Sequence, residues 1–172
     1  MNKVRVLILG TGGMASQHVR LLRQDARAEI AGACDVDAAR AQAFAGQHEI
    51  AHAFGSLKEA MDWGRFEAAM NVTPDAVHHP TTMTLLRAGK HVLCEKPLAE
   101  NHVLATEMAE AAAASGLVNM VNLSYRNVGA LEEARKRIAA GEIGEVRHVE
   151  ASYRQSWLVG NSWGDWRTDP KW

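Results

Sequence analysis

The chain predicts an α/β fold built on a doubly wound parallel sheet, on three observations. It opens with a continuous apolar run, Val4 to Leu9, and a glycine turn, Gly10-Thr11-Gly12-Gly13, stands directly behind that run. Short apolar runs then alternate with helical periodicity almost to the end. A run apolar at every position suits a strand covered by helices on both faces. The elements follow in order. Val19, Leu21 and Leu22 against Gln17, Arg20, Arg23 and Gln24 make an amphipathic helix behind the turn. Glu29 to Cys34 is a second strand, ending at Asp35. Asp37 caps a helix from Ala38 to about Phe44 that Gly46 ends, and Ile50 to Phe54 is a brief third strand. Ser56-Leu57-Lys58-Glu59 is a capping box opening a helix to Trp63. Ala68 to Val72 makes strand four, a helix from about Pro80 to Ala88 stops at Gly89, and His91 to Cys94 is strand five. Asn101 caps an alanine-rich helix to Ser115, Gly116 closes it, and Leu117 to Leu123 is strand six. The exit near Ser124 divides a first domain, 1–123, from the beginning of a second, 124–172, where Val146 to Trp157 alternates like a new strand.

The opening turn carries chemistry. Gly10-Thr11-Gly12-Gly13-Met14-Ala15 has the form G-x-G-x-x-A after a strand and before a helix, the phosphate turn of a dinucleotide-binding Rossmann domain. Gly10 permits the tight turn, Gly12 lets backbone N–H groups approach a pyrophosphate, and small Ala15 lets the helix pack on its strand with its positive end toward the anion. Asp35 stands where this fold places a carboxylate to hydrogen-bond the adenosine ribose hydroxyls. That acid would repel a 2'-phosphate, which favours NAD over NADP, although Arg40 nearby leaves the preference open.

Composition bounds the alternatives. A formal net charge of −1 over 172 residues argues against a nucleic-acid partner, and no apolar run is long enough to span a membrane. The N-terminus enters a strand without a charged leader and cleavage site, so a cytoplasmic protein is expected. The two cysteines, Cys34 and Cys94, end strands that are not neighbours in the usual order, so they read as buried thiols rather than a disulfide. His48-Glu49-Ile50-Ala51-His52 matches the zinc-protease pattern H-E-x-x-H. That chemistry needs both imidazoles on one face of a stable helix, whereas Gly46 and Gly55 bracket a short segment that resembles a strand, so no metal site is expected.

Asn71-Val72-Thr73-Pro74-Asp75-Ala76-Val77-His78, followed by Cys94-Glu95-Lys96-Pro97, resembles, together with the opening turn, the Gfo/Idh/MocA family of NAD(P)-dependent oxidoreductases. The resemblance runs from Val4 to the last residue, and Glu-Lys-Pro after strand five is its most specific element. It implies a cofactor site of Gly10, Thr11, Gly12, Gly13, Met14, Asp35, Val72, Thr73, Pro74, His78, Glu95 and Lys96, with Lys96 near the reacting carbon. Arg126, Trp166 and Arg167 could contribute near the nicotinamide by the same resemblance, and packing explains them nearly as well. Asp75 departs from the Asn common after Thr-Pro and is assigned no contact. Lys96 has a physical case of its own. A loop leaving the carboxyl end of a central strand faces the crevice where such sheets bind ligands, and an amine there can take the hydroxyl proton as hydride leaves carbon. The alternative is a solvated Lys96 paired with Glu95.

Four of the five tryptophans, Trp157, Trp163, Trp166 and Trp172, fall at the end of the chain, and that aromatic surface calls for burial by a continuation or a second chain. Gly141 to Val146 resembles the family's entry into a second, open-faced sheet domain. The expectation is a nucleotide-binding domain followed by the start of an α+β substrate domain, truncated, with binding but little turnover. Two functions stay open. One is a dehydrogenase acting on a secondary alcohol of a sugar or cyclitol; the other is a non-catalytic dinucleotide sensor or regulatory module. The unpartnered aromatic strand leaves room for association into a homo-oligomer.

Overall fold

The computed structural model describes residues 3–154 and residue 156. They fall in two compact units, residues 1–122 and 123–172. In the first unit, strands β1 (Val4–Leu9), β2 (Ala28–Cys34), β3 (Ala53–Phe54), β4 (Ala68–Asn71), β5 (His91–Cys94) and β6 (Asn119–Val121) form one sheet in the order β3-β2-β1-β4-β5-β6. Every pairing is parallel. The helices between them are α1 (Gly13–Leu22), α2 (Ala38–Gln47), α3 (Leu57–Trp63), α4 (His78–Arg87) and α5 (His102–Ser115). The strand order reverses between β1 and β4, and a sheet of this kind opens its ligand crevice at that point, beyond the carboxyl ends of the strands.

Strand β1 shows why the sheet is doubly wound. Val6 and Ile8 pack on one face with Ala15 and Val19 of α1 and Phe44 and Ala45 of α2. Leu7 and Leu9 pack on the other with Phe66, Leu85 and Met108. Successive side chains of a strand point to opposite faces, so a run apolar at every position fills two cores at once.

Local signals set most boundaries. Asp37 accepts a hydrogen bond from Arg40 N (3.1 Å), Ser56 Oγ from Glu59 N (3.2 Å) and Asn101 Oδ1 from Leu104 N (3.1 Å). Gly64 and Gly116 end α3 and α5 in the left-handed region. Helix α2 runs through Gly46 to Gln47, and the left-handed residue comes at Glu49 with φ of 47°. The expected strands three, four and six are longer than β3, β4 and β6, because a parallel strand ends where its neighbour stops offering backbone partners.

The segment 48–52 is not a helix. His48 caps the end of α2 and meets Ser16 Oγ at 2.9 Å, while His52 packs against Trp63 in a tilted ring contact, so the two imidazoles share no helical face. No cluster of three or more metal-ligating side chains occurs among the described residues. Cys34 and Cys94 are free and buried on β2 and β5, with β1 and β4 between their strands. Burial pushes their thiols up to about 12 and about 11.

The second unit contains a 3₁₀ turn, Ser124–Asn127, and helix α6 (Gly129–Ala139). The expected strand from Val146 is not formed: residues 146–154 carry no strand, and Trp157 lies outside the described residues. The alternating pattern is there, but a strand exists only through hydrogen bonds to a neighbour, and none of the described residues of this unit supplies one. No described side chain of this unit is buried. No helix among the described residues is long and apolar enough to cross a membrane.

Candidate active site

The exits of β1, β2, β4 and β5 bring together most of the residues picked from the sequence. At the β1 exit, Gly10 has φ of 91°, and a Cβ built there would stand 2.7 Å from the Val72 carbonyl oxygen and 2.9 Å from Thr73 N. The glycine therefore serves both a left-handed turn and the close approach of the β4 exit, Val72-Thr73-Pro74. Gly12 and Gly13 are different: a Cβ on either would meet nothing within 4 Å. Gly12 caps the ten-residue α1 with no side-chain hydrogen bond, and the first turn holds no acidic residue. The helix end thus presents backbone donors and a positive dipole to open space, the cradle a pyrophosphate needs. Met14 beside it is half exposed, and Ala15 is fully buried against the sheet.

Asp35, at the end of β2, is buried at 5 % exposure. Its Oδ2 accepts from Thr11 N (2.9 Å), Thr11 Oγ1 (2.7 Å) and Arg40 Nε (3.1 Å); its Oδ1 accepts from Asp37 N (3.1 Å) and Arg40 Nη2 (2.5 Å). Burial would raise this carboxyl, but hydrogen bonds from Arg40, Thr11 and Asp37 more than offset it and hold it at about 2. The acid is ionised and shapes the glycine turn from below. Thr11 is spent on Asp35 through both its N–H and its hydroxyl.

The β4 exit is organised by Asn71, which the motif reading passed over. Its amide donates to Thr81 Oγ1 (2.8 Å) and Thr82 Oγ1 (3.0 Å), and its Oδ1 accepts from Thr73 Oγ1 (2.7 Å). Both polar atoms of this fully buried side chain are used: Oδ1 holds the Thr73-Pro74 turn and Nδ2 holds the first turns of α4. His78, also buried, bridges two loops: Nδ1 lies 2.7 Å from the Pro97 carbonyl and Nε2 lies 2.8 Å from that of Thr73. Val72 donates its N–H to Leu9 O at 2.7 Å, which ties this exit to β1.

At the β5 exit, Glu95 points inward and Lys96 outward. Glu95 is buried at 7 % exposure and Lys96 is exposed. Glu95 Oε1 accepts from His18 Nε2 (2.8 Å) and Asn122 Nδ2 (2.6 Å), and Oε2 accepts from Lys96 N (3.2 Å). Burial would raise the carboxyl, but Asn122, His18 and the Lys96 amide more than offset it and hold it below its ordinary value. With Glu95 so engaged, it forms no ion pair with the Lys96 ammonium group among the described residues; the Glu95–Lys96 pairing considered from the sequence is absent. Lys96 precedes a cis Pro97. Arg126 belongs to the second unit, in its 3₁₀ turn, and Trp166 and Arg167 lie outside the described residues.

His18, Asn71 and Asn122 are the site-framing residues missed from sequence. His18 had a signal: it shares the inward face of α1 with Ala15 and Val19, an i, i+3, i+4 set in which a polar residue must find a buried partner. Asn71 and Asn122, one buried and one half-buried, stand at the ends of apolar runs, where an amide needs partners that only the fold supplies.

A six-stranded parallel sheet with an open glycine cradle at its switch point and an acid ending β2 defines a nucleotide-binding α/β domain. Residues 4–123 match the model of the oxidoreductase family with an NAD-binding Rossmann fold, and residues 131–172 match the GFO/IDH/MocA C-terminal domain. The chain belongs to the Gfo/Idh/MocA oxidoreductase family. It is 33 % identical over 152 residues to scyllo-inositol 2-dehydrogenase (NADP(+)) of Bacillus subtilis, covering 88 % of this chain and 46 % of that protein. The crystal structure of an oxidoreductase domain protein from Kribbella flavida superposes with a TM-score of 0.88 at 33 % identity, over 98 % of this chain and 48 % of that one. The WlbA dehydrogenase from Bordetella pertussis, solved with NADH and UDP-GlcNAcA, gives 0.78 at 27 % identity, over 83 % and 41 %. The chain spans about half the length of these relatives.

Proposed function

We propose that this chain carries the cofactor half of a dehydrogenase moving hydride between a nicotinamide dinucleotide and a secondary alcohol of a sugar or cyclitol. What supports the reading is the meeting, at one switch point, of a cradle open at Gly12 and Gly13, an ionised acid at Asp35 and an outward lysine at Lys96. Gly12, Gly13 and Met14 would hold the pyrophosphate through their amides. Asp35 would take the adenosine ribose, and Val72, Thr73 and Pro74 would line the floor toward the nicotinamide. The bound cofactor supplies a hydride acceptor or donor. Lys96 takes the substrate hydroxyl proton on its amine in oxidation and returns it in reduction, so charge stays balanced as hydride moves the other way. His78 and Glu95, whose polar atoms are engaged inside the protein, hold the two loops rather than touch the cofactor. Residues 124–172 begin the substrate domain on this reading, and the chain works in the cytoplasm on a small-molecule polyol or sugar.

The cofactor is NAD on the same reading, because an ionised Asp35 repels a 2'-phosphate. One observation favours NADP as the alternative: Arg40 lies on Asp35 with its own side chain 53 % exposed, so the guanidinium can leave the acid for a phosphate. Titration of the chain with NADH and with NADPH, followed by nucleotide fluorescence, tests both. The expectation is saturable NADH binding, weakened about tenfold or more by Asp35→Ala, a loss on the order of 1.4 kcal/mol. No saturable binding of either nucleotide overturns the reading. A non-catalytic sensor would bind equally well, and it is separated by Lys96→Met: a dehydrogenase loses turnover with NADH affinity retained.

A further inference from the structure

Glu95 and His18 form a buried carboxylate–imidazole pair that the proton-transfer chemistry does not use. His18 is 6 % exposed and Glu95 7 %. A carboxylate only accepts, so the His18 ring donates from Nε2 across 2.8 Å. Such a pair is a weak source of net stability, since well-packed apolar residues of the same volume often do as well or better. The fold had that option, because Ala15 and Val19 close the same face of α1 with apolar contacts. What the pair does that an apolar contact cannot is join two places. His18 sits on the helix whose open end is the phosphate cradle, five residues beyond Gly13, about 8 Å along a rigid helix. Glu95 receives the Lys96 amide on its second oxygen. The remaining freedom of this loop is removed by Glu95 N on Asn71 O (2.9 Å), Asn122 N on Cys94 O (2.8 Å) and Asn122 Nδ2 on Glu95 Oε1 (2.6 Å).

We propose that His18 is a positioning residue: through Glu95 it fastens the Lys96 loop to the phosphate helix, so that a dinucleotide seated at Gly12 and Gly13 is registered at Lys96. The proposal rests on the cofactor reading above. Its path is three contacts long, cradle to α1, His18 to Glu95, and Glu95 to the Lys96 amide, all within the first unit. It assigns His18 no contact with cofactor or substrate.

The test reads Lys96 itself. The whole chain is reductively methylated with a carbon-13 label, and the Lys96 signal is assigned by its loss in Lys96→Arg. The signal is then followed as NADH is added, in the wild type and in His18→Phe, His18→Gln and Glu95→Gln. A wild-type Lys96 shift on NADH addition is expected. In His18→Phe the NADH affinity should stay within about threefold while the induced shift falls below about half, and His18→Gln, whose amide can still donate to Glu95, should restore it. A role confined to stability would lower the melting temperature of His18→Phe and leave the induced shift intact; that result overturns the proposal. So does loss of NADH binding in His18→Phe, which would place His18 in the cradle itself. If His18→Phe does not fold, Glu95→Gln, nearly isosteric, carries the same measurement with the same two outcomes. A wild-type chain that binds no NADH overturns the cofactor reading and this proposal with it, whereas binding with an unaltered Lys96 response in the variants overturns this proposal alone.

Discussion

The β2 and β5 exits each end in a buried carboxylate held below its ordinary range, yet Asp35 and Glu95 are kept in opposite ways. Arg40, the charged partner of Asp35, is 53 % exposed, so a ligand can displace it. The partners of Glu95 are His18, itself buried, the half-buried amide of Asn122, and the neighbouring Lys96 amide. On the proposed reading, the carboxylate that meets the ligand keeps a removable partner on its solvent side, and the one that holds the frame is closed in by the fold. The two glycines of the cradle repeat the contrast. Gly10 is pressed against the Val72 carbonyl, while Gly12 faces nothing.

The largest effect tests the frame. Glu95→Ala strands the buried His18 ring without its acceptor, and a destabilisation of about 3–5 kcal/mol is expected in urea unfolding. A loss below about 1 kcal/mol would show that Glu95 is not the joint described. Gly10→Ala comes next, at about 2–3 kcal/mol, because the new Cβ meets backbone rather than a side chain that can swing away, and the residue is held at positive φ. Gly12→Ala should leave the melting temperature nearly unchanged and weaken NADH binding, since its Cβ would occupy the ligand's space.

Acid exposes the ligand side. With Asp35 at about 2 against an ordinary 3.8, the folded chain binds that proton less readily than the unfolded chain does. The stabilisation, on the order of 2 kcal/mol before solvent screening of Arg40, is present in full above about pH 4 and is lost as the pH falls through 2. Wild type and Asp35→Asn should therefore converge in stability at low pH; parallel curves would mean that the carboxylate is not ion-paired. Smallest is Arg40→Ala, expected to cost under about 1 kcal/mol because the arginine is half exposed. It should still move the ratio of NADPH to NADH affinity toward NADH, and an unchanged ratio would remove Arg40 from cofactor choice.

Much of the candidate site was legible in the residues. The glycine turn and Asp35 were picked out by short spacings, Thr73-Pro74 by the family resemblance and Lys96 by that resemblance and its place after strand five; each stands at a strand exit around the switch point. What the motif reading missed was the interior bracing. Asn71 looked like the end of a strand and His18 like one residue of a helix face. The strand expected from Val146 failed for the opposite reason, since its local pattern is sound and its pairing partner is absent among the described residues.

The sequence by itself determined the order and kind of elements in the first unit and the position of the glycine turn. Those depend on hydrophobic period, capping residues and glycine placement within a few residues of chain. Only the tertiary structure decided the strand order, the packing of Gly10 against Val72, and the burial of Glu95 against His18 and Asn122. Those partners are 77 and 27 positions away along the chain. A carboxylate's role depends on which donors and how much water surround it, and that neighbourhood exists only once distant strands and helices have packed.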